Sequence, residues 1–492
     1  MNCSRFAPML LLAVVGAMMP AHGAAQADDS KPAPPPVVKS FDLSAIDKTA
    51  DPCTDFYQYA CGNWIKNNPI PGDQVWWARS FSLVAERNRY LLWQELDAAA
   101  RDPKTPLQKQ YGDFFAACMD TGTVDKKGLT PIQPGWATIA GLSDSHQLPT
   151  LLSNLENDGT PYGVMSCGVG QDWVKQNFPP AAKDSMDKLV AALDKSLGDD
   201  IETLPWMGDA TKKAAEEKLA MFRNKIGYPE KWRDYSSVKV DRTDLIGNMH
   251  HSNVFGRDWN YGHLGKPVDE KEWGMTPPTV NAYYDSSMND INFPAGILQP
   301  PFFDFTIDPA VNFGGIGMVI GHEMTHGFDD EGSKYDGKGN LREWQTADDR
   351  KAFTDRTDCE VAEYNGFEVA PAHGDTLAQK ENGKLTLGEN TADNGGLRIA
   401  YMALLDTLAA QGKSIDDKID GYTEAQRYFL GFAQVWCTNE TEEMARTLAL
   451  ADPHSYDRWR VNGVVQNFEV FGKAFGCKKG QPMYPVKSCR VW

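Results

Sequence analysis

Two histidines and a glutamate stand together in Val319-Ile320-Gly321-His322-Glu323-Met324-Thr325-His326-Gly327-Phe328. The apolar flanks suit a buried helix, in which positions four apart share a face. His322 and His326 then aim two imidazoles at one cation, while Glu323 sits beside the open coordination position without being a ligand. Two hydrogen-bonded core histidines are the bland alternative, but burying them with a carboxylate and no metal is costly. A catalytic zinc needs a third protein ligand, and Gly388-Glu389-Asn390-Thr391-Ala392-Asp393-Asn394-Gly395-Gly396 offers two carboxylates four residues apart. Glu389 can bind the metal, and Asp393 can accept the free ring N–H of a ligand histidine, fixing its tautomer. Taken alone, that carboxylate pair is also the pattern of a solvated helix face.

The elements that must position these groups are read from periodicity and turn chemistry. Helices are expected over residues 79–99, 107–119, 186–197 and 209–225, the last ended by Gly227 and Pro229. Val280 to Phe293 alternates around a turn at Ser286 to Asn289, which predicts a hairpin. Asp51 to Trp64 is dense in aromatics and cysteines and reads as a buried anchor. Residues 305–315 read as a loop, and the pattern weakens over 235–274. The adjacent His250 and His251 in that stretch read as solvated side chains.

Composition bounds the class. The chain has 492 residues, 41% of them hydrophobic, enough for a substantial core, and its net charge of −18 without clustered Lys and Arg argues against a nucleic-acid partner. Arg5 precedes an apolar run from Met9 to Met19, with cleavage candidates after Gly23 or Ala27. A buried core helix is the alternative reading, but residues 1–27 are expected to be a signal peptide, followed by a flexible Pro-rich linker over 28–45. The run is too short to cross a bilayer, so no transmembrane segment is expected after cleavage and the product is secreted or periplasmic. Cys3 leaves with the signal, and the eight remaining cysteines suggest four disulfides, with 105 pairings open.

Several segments together resemble the neprilysin-type metallopeptidases, family M13. They are Val280-Asn281-Ala282-Tyr283-Tyr284, the run from Phe293 to Phe303, Gly314 to Asp330, Gly388 to Gly396, and the tail from Phe432 to Trp492 with Ala433-Gln434-Val435-Trp436-Cys437, His454-Ser455, Arg460-Val461-Asn462-Gly463 and Cys489-Arg490-Val491-Trp492. The resemblance implies one zinc ion per chain on His322, His326 and Glu389, with Glu323 as the general base assisting attack of zinc-bound water and Asp393 orienting His322. It further implies that His454 stabilises the oxyanion, that Asn281 and Ala282 hold the substrate main chain, and that Arg460 contacts a substrate carbonyl. Ile297, Phe302, Val319 and Trp436 would line a pocket favouring cleavage before bulky apolar residues; plain core packing is the other reading of these four. Arg79 and Arg87 have the spacing of a family pair that grips a substrate carboxylate, although Val84 stands where an acidic residue is expected between them.

The family implies a mainly α fold with small β elements, a zincin-type catalytic domain made discontinuous by a helical lid. Its disulfides would be Cys53 to Cys477, Cys61 to Cys437, Cys118 to Cys167 and Cys359 to Cys489. The expected division is 46–118 for the N-terminal part of the catalytic domain and the start of the lid, 119–230 for a residual lid, and 231–492 for the catalytic domain. Only residues 119–166 separate Cys118 from Cys167, so the lid is shortened. The expected function is a secreted zinc endopeptidase or oligopeptidase acting on peptides. The competing expectation is an exported zinc-binding protein that lost catalysis with its lid. A third is a different HExxH class whose third ligand is not Glu389. Oligomeric state and natural substrate are open.

Overall fold

The computed structural model describes residues 32, 34–133, 161–369 and 379–492, with backbone alone for 161–167. The expected signal peptide and the first part of the linker lie outside the described residues. The fold is helix-rich with short strands. No helix among the described residues is long and apolar enough to cross a membrane.

Contacts divide the chain into two compact units, one from 87–177 and 229–277 and the other from 36–86, 178–228 and 278–492. This differs from the expected boundary at residue 230. Residues 178–228 join the larger unit because the helix Pro180–Thr203 packs on the helix Leu387–Ala410, and the strand Arg223–Gly227 pairs in parallel with Asp290–Pro294. In the smaller unit Ala99, Tyr111, Phe114 and Val169 form a core with Leu92, Leu96 and Leu107 packed against it.

Two expected elements change type. The helix expected to reach residue 225 ends at Leu219, because Arg223–Gly227 gains a full parallel ladder in a three-stranded sheet whose middle strand is Asp290–Pro294. Tertiary pairing here overrides local propensity. The hairpin follows the sequence, with Tyr283–Asp285 antiparallel to Asp290–Pro294. Within 235–274 there is a helix, Leu245–Tyr261, capped by Asp244; its fully buried residues Asn248 and Ser252 are polar and interrupt the face on which Leu245, Met249 and Phe255 pack.

The presumed loop at 305–315 is largely helical. Asp308 caps Pro309–Asn312, and a π turn over Phe313–Gly317 runs directly into Met318–His326, the helix that carries both histidines. Wider π turns are a common local adjustment at functional sites. Glycines allow it: a Cβ on Gly314 would lie 2.1 Å from the Tyr428 carbonyl oxygen, and one on Gly315 would lie 2.5 Å from that of Phe302.

The larger unit is tied to its N-terminal segment covalently. Helix Phe56–Asn67 buries Phe56, Tyr57, Ala60, Cys61 and Trp64, and disulfides Cys53–Cys477 and Cys61–Cys437 fasten it to the tail. Cys359–Cys489 closes a third loop. Cys118 is also disulfide-bonded, and the side chain of Cys167 lies outside the described residues.

The helices Met318–His326 and Leu387–Ala410 meet backbone to backbone. A Cβ on Gly396 would lie 2.5 Å from the His322 nitrogen and 2.7 Å from the Met318 oxygen, and one on Gly321 would lie 2.8 Å from the Gly396 oxygen. Gly396→Ala is therefore expected to cost about 1–3 kcal/mol by overpacking, read by denaturant unfolding of the metal-free protein. Unchanged stability would contradict the close crossing.

Candidate metal centre

The helix crossing brings His322 and His326 against Glu389, which sits in the first turn of Leu387–Ala410. Each imidazole has one nitrogen engaged behind it. His322 Nδ1 donates to Asp393 Oδ1 at 2.7 Å, and His326 Nδ1 donates to Asp329 Oδ2 at 2.6 Å. A carboxylate only accepts, so these bonds place the hydrogen on Nδ1 and turn both Nε2 lone pairs inward.

Those two Nε2 atoms are 3.0 Å apart. His322 Nε2 lies 3.3 Å from Glu389 Oε2, and His326 Nε2 lies 3.6 Å from Glu389 Oε1. Donors about 2.0–2.1 Å from one tetrahedral zinc lie about 3.3 Å from each other, so the three groups have the spacing of ligands on a single ion. Glu389 Oε2 is buried and takes no hydrogen bond, although His454 Nε2 and Arg460 Nη2 approach to 3.2 Å and 3.7 Å. A buried carboxylate oxygen with no hydrogen-bond donor, beside two facing lone pairs, fits a cation site. The Glu323 carboxylate also lies within 4.8 Å of both imidazoles. Glu389 has the closer ligand spacing to both, which leaves Glu323 beside the ion rather than on it.

The electrostatics of the metal-free cluster point the same way. Burial opposes charge on His322, yet Asp393 and Glu389 raise its pKa; burial likewise opposes charge on His326, and Asp329 and Glu389 hold it well above the usual range. Burial works against the Glu389 carboxylate too, but the two imidazoles hold it well below its ordinary value. Glu323 is raised, chiefly by burial, against the pull of both histidines. The pocket thus favours positive charge where the imidazoles meet.

Arg460 is buried and donates from Nε and Nη2 to the two oxygens of Asp393, each at 2.8 Å, while its guanidinium lies 4.0 Å over the Trp436 ring. It therefore locks the carboxylate that orients His322. His454 is half-exposed; its Nδ1 donates to Asp452 at 2.7 Å and its Nε2 faces Glu389. Asn281 is exposed and accepts the Ala282 backbone N–H at 3.0 Å, just before the edge strand Tyr283–Asp285. Ile297 and Phe302 are 1% and 0% exposed, Trp436 is 6% exposed and Val319 is partly exposed. Phe81 packs on both Phe302 and Trp436, at 5.0 and 5.9 Å between ring centres. Ile297 and Phe302 thus carry the packing that the bland reading expects.

Arg79 differs from its expected role as a substrate grip. It is buried, and its guanidinium donates to the backbone carbonyls of Gln434 and Lys39. His250 and His251 lie on the helix Leu245–Tyr261, where the His251 ring bonds the Lys239 carbonyl. Sequence reading missed Asp329, the partner of His326, although its place three residues on was a usable signal. Asp452, two residues before His454, was missed for want of any pattern.

Two profiles described as peptidase family M13 match residues 281–491 and residues 52–174 with 162–229. The chain belongs to peptidase family M13. Among curated proteins, endothelin-converting enzyme 1 of Cavia porcellus is 39% identical over 332 residues, covering 66% of this chain and 43% of that protein. An endothelin-converting enzyme homolog of Locusta migratoria is 36% identical over 412 residues, 82% of this chain and 52% of that protein. The chain thus spans about half or less of the length of these M13 relatives. Among solved structures, Mycobacterium tuberculosis zinc metalloprotease ZMP1 in complex with inhibitor superposes with a TM-score of 0.84 at 27% identity, covering 93% of this chain and 100% of that one.

Because both imidazoles are raised in the metal-free protein, zinc must displace protons held to higher pH than on ordinary histidines near 6.5. Affinity for zinc is expected to rise by up to about 100-fold per pH unit while both are protonated, and to level off only above the ordinary histidine range. Chelator competition from pH 5 to 8 reads this directly. A plateau already reached at pH 6 would contradict the raised values.

Proposed function

We propose that this M13 chain is an exported zinc metalloendopeptidase that hydrolyses peptides, with one zinc held by His322, His326 and Glu389. The observation that carries the reading is the convergence of two Nε2 atoms and one carboxylate at zinc-ligand spacing, with each Nδ1 committed to a carboxylate behind it. Bound there, zinc would polarise a peptide carbonyl and bring the pKa of its water toward neutrality. The rest falls to side chains. Glu323 accepts the proton of the attacking water and returns it to the leaving amine, a role suited to a carboxyl raised by burial. Asp393 and Asp329 hold the imidazole tautomers, and Arg460 fixes Asp393.

His454, steadied by Asp452, is the donor for the developing oxyanion. Asn281 and Ala282, beside an edge strand, are suited to holding an extended peptide by its main chain. Val319 shares the helix face of Glu323 one turn earlier, and with Trp436 it forms the apolar wall that favours a bulky residue after the scissile bond, with Ile297 and Phe302 packed beneath as support. Three disulfides suit export into an oxidising compartment. The smaller compact unit is the shortened counterpart of the family's lid.

The test is a mixed peptide library incubated with purified protein, with and without chelator. Cleavage before bulky apolar residues is expected, lost with chelator and restored by zinc. Glu323→Gln is expected to lower turnover by about 10²–10⁴-fold or more while retaining one zinc, and Glu389→Ala to lose the zinc. Zinc bound stoichiometrically with no peptide cut would leave only a binding protein, and zinc retained by Glu389→Ala would remove that residue from the site.

A further inference from the structure

Lys218, on the helix Asp209–Leu219, is 2% exposed, and its ammonium feels Asp329 and Asp336 only at longer range than a direct ion pair among the described residues. Its ammonium instead donates to three backbone carbonyls of one short segment: Gly327 at 2.5 Å, Gly332 at 2.8 Å and Tyr335 at 2.9 Å. Phe328, Tyr284 and Trp344 surround it, their ring centres 5.4, 5.9 and 6.0 Å from Nζ. Three carbonyls need three N–H donors, which the ammonium supplies. Burial pushes the Lys218 pKa down to about 7, against the pull of Asp329 and Asp336, while the three carbonyls and the ring faces favour the charged form.

The caged segment begins one residue after His326. Within it Asp329 Oδ1 accepts the backbone N–H groups of Glu331 and Gly332 at 2.8 and 2.6 Å, while its Oδ2 accepts His326 Nδ1. The turn presses on the histidine's own backbone, since a Cβ on Gly332 would lie 1.7 Å from the His326 oxygen. Its other flank meets the Glu389 helix, because a Cβ on Gly388 would lie 3.2 Å from Asp329 Oδ2. The carboxylate that sets the His326 ring is thus held by a turn whose carbonyls converge on Lys218.

We infer that Lys218 is a positioning residue for the metal site: it fixes the 327–335 turn so that Asp329 presents His326 Nε2 to zinc. The inference rests on the zinc-site reading above and extends it to a residue that touches neither metal nor substrate. Loss of the ammonium leaves three buried carbonyls unpaired and frees the turn, so the second imidazole loses its fixed direction.

The experiment is zinc affinity by chelator competition at low temperature, on wild type, Lys218→Met and Lys218→Arg, with thermal unfolding of each metal-free protein alongside. Lys218→Met is expected to weaken zinc about 10–100-fold with the peptide KM of the zinc-loaded fraction unchanged, and Lys218→Arg, keeping charge and donors, to recover most of that loss. A Lys218→Met protein with a lowered unfolding midpoint but zinc affinity within about twofold of wild type would make Lys218 merely structural and overturn the inference. If that variant does not fold, hydrogen exchange on the wild-type protein decides, because coupling between zinc and turn is reciprocal. Zinc is expected to slow exchange at the Ser333 and Tyr335 amides, and unchanged exchange there overturns the inference. A wild-type chain that binds no zinc fails at the earlier step, refuting the metal-site reading itself.

Discussion

The contact between Gly321 and Gly396 sets the scale of everything around it. Only when the two helices touch through their backbones does Glu389, seven residues before Gly396, reach the face that carries His322 and His326. A side chain at either glycine widens the crossing, and donors now 3.0 to 3.6 Å apart could no longer share one ion. The π turn at Phe313–Gly317 serves the same geometry from behind, since Gly314 and Gly315 let the chain press against the backbone of Tyr428 and Phe302 as it enters the histidine helix.

Charge is the second constraint. Glu323, Glu389, Asp393 and Asp329 are all buried or nearly so, and four carboxylates cannot be left uncompensated in so small a volume. Arg460 answers Asp393 from one side, and Lys218 stabilises the turn that carries Asp329 from another. What remains is the acidic and imidazole-lined centre, which a dication completes. The same carboxylates raise both imidazoles against the burial that opposes their charge.

Much of this was legible before any coordinates. Spacing alone put His322 and His326 on one face, and the four-residue step from Glu389 to Asp393 put both carboxylates on another, because helical periodicity is local. The hairpin at 283–294 was visible for the same reason. What stayed hidden depends on partners far away in sequence. Arg223–Gly227 becomes a strand only because Asp290–Pro294 lies beside it. Leu245–Tyr261 breaks its apolar face with the buried polar residues Asn248 and Ser252. Arg79, which had the spacing of a substrate grip, is consumed by the Gln434 and Lys39 carbonyls. Lys218 is one charge among several on the expected 209–225 helix, since nothing local reveals that three carbonyls more than a hundred residues later converge on it.

The central claim is that one ion is shared by two imidazoles of one helix and a carboxylate of another. Anomalous diffraction from crystals of the zinc-loaded protein, collected on either side of the zinc absorption edge, addresses it most directly. The account predicts a single strong peak within about 2.0–2.2 Å of His322 Nε2, His326 Nε2 and a Glu389 oxygen. A peak bound elsewhere, or one that touches the histidines while Glu389 points away, would contradict it.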